Sequence, residues 1–146
     1  MFSTTQTMGK VLTHLTVTNR ADQILAREGF RSDEQIRSIT IEDALVDTGA
    51  TTLRLPSDVI AQLGLTLLKE VEVTTANGIS KARVFQDAKI SICGREGTFE
   101  CLELPGGQVS LIGVIPLEAL GLEPDLQNQK LKVLPTESSD TYLTIL

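Results

Sequence analysis

Short runs rich in Val, Ile and Thr, in which apolar and polar residues alternate, recur through most of this chain. A period of two fits extended strands with one covered face, so the pattern predicts a mostly β protein. Val11, Thr13, Leu15 and Val17 form one face of a first strand, and residues 39 to 46 build a second. Further runs follow at 69–75, 79–92, 98–104, 108–113 and 130–134. In the long run from 79, Ala82, Val84, Ala88, Ile90 and Ile92 share a face, with Lys81, Arg83 and Asp87 opposite.

Two short helices are expected between the strands. After Pro56, Ser57 can cap a turn that buries Val59, Ile60 and Leu63 and stops at Gly64. Pro116 fits the first turn of another, with Leu117 and Leu120 inward and Gly121 at its end. The two halves share an order of strand, glycine turn, proline-opened helix and Leu-Gly-Leu, which is a weak internal repeat. The segment from 19 to 38 is charged and poorly alternating. Its 22–28 stretch fits either a helical turn or a polar hairpin, and Arg27, Arg31, Asp33, Glu34 and Arg37 read as a solvated face.

One acidic residue stands out against this background. The apolar run Ala44-Leu45-Val46 ends on Asp47-Thr48-Gly49-Ala50, and a carboxylate buried there without a partner would cost several kcal/mol. The residues fit two readings: placed chemistry, or an Asx-type turn in which Gly49 supplies a positive φ. The repeat partner of this motif, Leu111-Ile112-Gly113, carries no acid.

Composition narrows the alternatives. With 146 residues the chain suits one domain, its core at about 8–134 and a linker-like, then apolar, tail at 135–146. A net charge of -6 without a Lys/Arg cluster argues against nucleic acid as a partner. No apolar stretch is long enough to span a membrane, and residues 1–7 lack the regions of a signal peptide, so the cytoplasm is the expected location. His14 lies on the polar phase of its strand, and Cys93 and Cys101 are too few for a metal site. If residues 94–97 form a turn, Cys93 faces Thr98, which leaves Cys101 out of disulfide reach. No metal and no cofactor are expected, and Ser-His-Asp chemistry lacks its parts.

Taken together, Leu45-Val46-Asp47-Thr48-Gly49-Ala50, a hairpin around Asn77-Gly78, Ile90-Ser91-Ile92-Cys93-Gly94 and Leu111-Ile112-Gly113 before a short helix resemble the retropepsin-like aspartic proteases. The match covers about residues 40–125. The resemblance implies an all-β, closed acid-protease barrel with one or two short helices, and an aspartic endopeptidase. It makes Asp47 the catalytic residue, one from each subunit of a homodimer, without a metal or a covalent intermediate. Two carboxylates about 3 Å apart repel by roughly 5 kcal/mol at an effective dielectric near 20, so the pair shares one proton. By the same resemblance, Thr48 bonds across the dimer, Gly49 lets the backbone approach the acids, and Ala50 completes the loop. Ala50 has no hydroxyl to donate to the carboxylate, which predicts an optimum nearer mild acid than that of pepsin-like enzymes. Thr75, Ala76, Asn77, Gly78 and Ile79 would form a flap over an extended peptide or protein substrate, with Leu53, Thr75, Ile79 and Ile115 as candidate pocket residues. Val114 stands where viral members carry arginine, which places the chain nearer cellular or bacterial members. The alternative is a peptide-binding or dimerisation module that keeps this fold without turnover.

Overall fold

The computed structural model describes residues 10–135. The polar start and most of the tail lie outside the described residues. The elements in chain order are β1 (Val11–Asn19), α1 (Arg20–Arg27), β2 (Ser38–Val46), β3 (Leu53–Pro56), α2 (Ser57–Leu63), β4 (Thr66–Thr75), β5 (Gly78–Ile92), β6 (Arg95–Leu104), β7 (Leu111–Ile112), α3 (Val114–Leu120), β8 (Leu122–Asp125) and β9 (Lys130–Val133). Seven strands run in the order β1-β2-β7-β3-β6-β5-β4, and β1 also pairs with β5. The sheet therefore curls back on itself, leaving β4 as an outer edge, and β8 and β9 form a separate hairpin. This is the mostly β chain that the alternation predicts, in the nearly closed all-β architecture that the resemblance implies.

The interior is filled by the inward phase of these strands. Leu15, Val17, Leu53, Leu55, Ile90 and Ile112 are completely shielded, and Leu63 of α2 and Leu117 and Leu120 of α3 pack into the same core. Each such side chain contributes about 1.5–3 kcal/mol on burial, which fixes the register of the ring. Both α2 and α3 stop at a glycine in the left-handed region, Gly64 at φ 63° and Gly121 at φ 66°, and buried Leu65 and Leu122 follow. Pro56, not Ser57, occupies the cap position of α2, and Ser57 is its first helical residue.

The long strand departs from its sequence pattern. Between Phe85 and Ala88 the pairing of β5 with β6 slips by one residue, and Asp87 takes φ 65°. A bulge of this kind exchanges the two faces of a strand. Ala88, Ile90 and Ile92 face the main core together with Phe85, whereas Ala82 and Val84 turn the other way and form a second small cluster with Leu102, Val71 and Val73. The five residues expected on one face thus belong to two. The β5–β6 turn also differs: Ile92 pairs with Arg95, so Cys93 and Gly94 are the turn and Cys93 does not face Thr98. Both cysteines are free, and burial pushes the Cys101 thiol up to about 12.

The charged segment after β1 contains a third helix, α1. The Asn19 side chain accepts from Asp22 N at 3.0 Å as its cap, and Asn19 Nδ2 donates to Leu63 O at 2.8 Å, joining α1 to the end of α2. Asp22 itself is 1% exposed. Arg37 donates to it from its backbone N, Nε and Nη2, and Arg31 donates from Nη1 at 3.0 Å. Arg31 and Arg37 are therefore partners of a buried acid rather than members of a purely solvated face. The Arg37 hydrogen bonds hold the Asp22 carboxyl below the usual carboxylate range, against burial, which acts in the opposite direction. Because the folded-state value is the lower one, this contribution is fully present above the ordinary carboxylate range and is lost as pH falls from that range through the lowered folded-state value. We expect Asp22→Asn to lower stability by about 2 kcal/mol at neutral pH and to flatten the acid limb of the stability curve. Urea denaturation across the acid range checks both.

Candidate active site

Asp47 leaves the sheet where two parallel strands end side by side. Leu45 and Val46 of β2 pair with Leu111 and Ile112 of β7, and Asp47 N donates to Ile112 O at 3.0 Å, so the acid is fixed by one further backbone bond. The chain then turns at once: Ala50 N donates to Asp47 O at 3.1 Å, and Gly49 N donates to Asp47 Oδ1 at 2.9 Å. The carboxylate is oriented by its own loop. Gly49 is absent from the positive-φ glycines, so the Asx-type contact exists without the φ that such a turn was expected to need. Its lack of a side chain has a different use, since a Cβ there would lie 3.2 Å from Asp47 Oδ1. Asp47 is half-buried, Thr48 and Gly49 are exposed, and Ala50 is buried beneath them.

The second half of the repeat anchors this loop. Gly113 N donates to Thr52 O at 3.1 Å, Val114 N to Ala50 O at 2.9 Å and Ile115 N to Thr51 O at 2.9 Å. The first N–H groups of a helix have no partner within it, and here the 50–52 backbone supplies acceptors for two of them. Contact is close enough that a Cβ on Gly113 would lie 2.5 Å from Thr52 O, 2.6 Å from Thr52 N and 2.7 Å from Ala50 O. Gly113 has φ -90°, so space, not backbone conformation, excludes a side chain there.

The hairpin expected at Asn77-Gly78 joins β4 to β5, displaced by one residue. Thr75 pairs with Gly78, which puts Ala76 and Asn77 at the turn and Gly78 after it at φ 111°. The Thr75 hydroxyl accepts from Asn77 N at 3.2 Å and donates to Gly78 O at 2.9 Å. Thr75 through Ile79 are all exposed, and they line neither of two concavities beside the Asp47 loop. One, of about 490 Å³, lies between Thr48, α3, β8 and Leu134. Arg95 braces its far wall by donating to Leu120 O, Gly121 O and Leu134 O.

The other concavity, of about 350 Å³, lies between Thr51, Thr52 and the inner part of the β4–β5 hairpin, with Val71, Val73, Val84 and Ile115 in its wall. Ile115 thus borders a cavity, whereas Leu53 is 0% exposed and points into the main core. Arg54, Lys69 and Glu100 also line this cavity. The sequence pattern could have pointed to Arg54, because Leu53-Arg54-Leu55 alternates like a strand, yet no strand was expected at 53–56. Among the described residues no group of three or more His, Cys, Asp or Glu is placed to hold a metal ion. Among the described residues no helix is long and apolar enough to cross a membrane.

A family model described as gag-polyprotein putative aspartyl protease matches residues 40–119, more than half of the chain. The matched span runs from within β2 to within α3 and includes the Asp47 loop, the β4–β5 hairpin and Gly113. Comparison with curated proteins gives no match.

Proposed function

This chain belongs to the gag-polyprotein aspartyl protease family, and from that premise we propose that it is a homodimeric aspartic endopeptidase in which each subunit supplies one Asp47. The observation that carries the reading is a carboxylate fixed by Gly49 N in a loop whose flanking Thr48 and Gly49 are exposed, while the matching turn at Gly113 carries no acid. One subunit then holds half of an acid pair, and a two-fold axis beside Thr48 completes it with a second copy.

In the dimer the two Asp47 carboxylates share one proton, because like charges at that separation do not both ionise. The ionised Asp47 takes a proton from a water held between them, and the water oxygen bonds to the peptide carbonyl carbon. The protonated Asp47 donates to the carbonyl oxygen. Proton transfer to the amide nitrogen then accompanies breakage of the C–N bond, releasing a carboxylic acid and an amine. Substrate is an extended peptide or protein segment lying between the Asp47 loops and the β4–β5 hairpin, bound through its backbone.

The test is concentration dependence. Specific activity against an unstructured fluorogenic peptide is expected to rise with protein concentration in step with the dimer fraction measured by sedimentation. Full activity in a strict monomer, or no cleavage by a well-folded dimer across mildly acidic to neutral pH, overturns the proposal.

A further inference from the structure

The cavity beneath the hairpin contains an arginine in an unusual setting. Following the strand registers, Leu111 of β7 pairs with Arg54, Arg54 with Leu102, Leu102 with Val84, and Val84 with Lys69. Paired residues share a sheet face, so Arg54 sits in a row whose next members on both sides are leucines. Its Nε is shielded from solvent and has no hydrogen-bond partner among the described residues. Of the other charged residues lining the cavity, Lys69 and Glu100 are both exposed.

A shielded guanidinium N–H without an acceptor opposes folding, and a methionine of similar length would fill the same space without that penalty. The arrangement is accounted for if the missing acceptor arrives with a ligand. We propose that Arg54 makes this cavity a subsite for an acidic side chain, so that the enzyme selects peptides carrying Glu or Asp at one position near the scissile bond. The inference rests on the endopeptidase reading and adds a substrate class to it.

Three features favour a carboxylate over a lone carbonyl. Nε–H and one Nη–H form a planar two-donor edge that matches both oxygens of a carboxylate. The apolar wall of Val71, Val73, Val84 and Leu102 strengthens an ion pair formed against it. Turning that edge into the cavity breaks no hydrogen bond of Nε. Glu100, an exposed residue of the same lining, adds a like charge that moderates the preference for an acidic side chain.

The experiment uses fluorogenic peptides that differ only by Glu, Gln or Leu at each position around the cleaved bond. They are assayed with the full chain and with Arg54→Met, Arg54→Lys and Glu100→Gln. We expect one position at which Glu exceeds Gln by about tenfold or more in kcat/KM. Arg54→Met should bring that ratio to about one, Arg54→Lys should leave an intermediate value, and Glu100→Gln should raise it. Binding of the same peptides to Asp47→Asn, with and without Arg54→Met, separates recognition from catalysis. An acid preference in binding that depends on Arg54 supports the subsite even if no peptide is cleaved, an outcome that removes only the endopeptidase reading. Cleavage or binding with a Glu-to-Gln ratio unchanged by Arg54→Met overturns the subsite. Arg54→Met should also melt no lower than wild type, and a pronounced fall in Tm would make Arg54 a structural residue and overturn it as well.

Discussion

Replacing Asp47 with asparagine is expected to lower peptide cleavage by at least about a thousandfold while leaving the melting temperature within roughly 2 °C of wild type. The size of the effect follows from symmetry. A single codon change removes both carboxylates of the dimer, so neither the group that accepts the water's proton nor the group that donates to the carbonyl survives. Stability is spared because an asparagine Oδ1 accepts from Gly49 N as the carboxylate does, at 2.9 Å in the native loop. The backbone bonds from Asp47 N to Ile112 O and from Ala50 N to Asp47 O do not involve the side chain. The comparison separates the enzyme from its rivals. An enzyme loses turnover and keeps its fold, whereas a binding module or a purely structural turn, whose Gly49 N bond asparagine preserves, shows no turnover to lose. Cleavage kinetics and thermal melts on the same preparations decide between them.

Gly113→Ala is expected to have the larger effect on the fold. Its new Cβ meets three atoms, Thr52 O, Thr52 N and Ala50 O, all within 2.7 Å. All three are backbone, so no side-chain rotation relieves the overlap, and α3 must separate from the 50–52 segment. Overpacking of this severity costs about 3 kcal/mol, corresponding to a fall in Tm on the order of 10 °C for a chain of this length. Because the N–H groups of Gly113, Val114 and Ile115 hold the loop that follows Asp47, cleavage should fall together with stability. Gly49→Ala is the contrasting case. Its Cβ meets only the side-chain oxygen Asp47 Oδ1, at 3.2 Å, so it should disturb activity with little loss of Tm. Melting curves and kcat/KM for the two variants test whether Gly113 supports the site through packing and Gly49 through the carboxylate.

The parts of this molecule that were legible in the sequence are those fixed by neighbouring residues. Alternation exposed most strands, Gly64 and Gly121 marked helix ends, and an acid closing an apolar run marked the loop. Where the structure departs from local pattern, a distant partner intervenes. The 22–28 stretch was ambiguous because Asp22 finds Arg31 and Arg37, the latter fifteen residues away, and only their contact makes burying it tolerable. The β3 strand is hard to read locally because it is four residues long, and the brief Leu53-Arg54-Leu55 alternation becomes a strand only through its pairing with β6 and β7. Asn77-Gly78 has the composition of a two-residue turn, yet the register of β4 against β5 sets the turn one residue earlier.

By itself, the sequence determined a β-rich chain with one acidic turn motif and no second acid in the repeat, because side-chain period and turn chemistry act over a few residues. Tertiary structure decided the rest. The bulge at Asp87 divides one apparent face of β5 between two clusters, since a single extra residue reverses every side chain beyond it. The threading of Gly113 against Thr52 joins segments some sixty residues apart, and the shielding of the unpartnered Arg54 Nε depends on which strands close around it. No local pattern encodes these contacts, because they exist only when the ring of strands is closed.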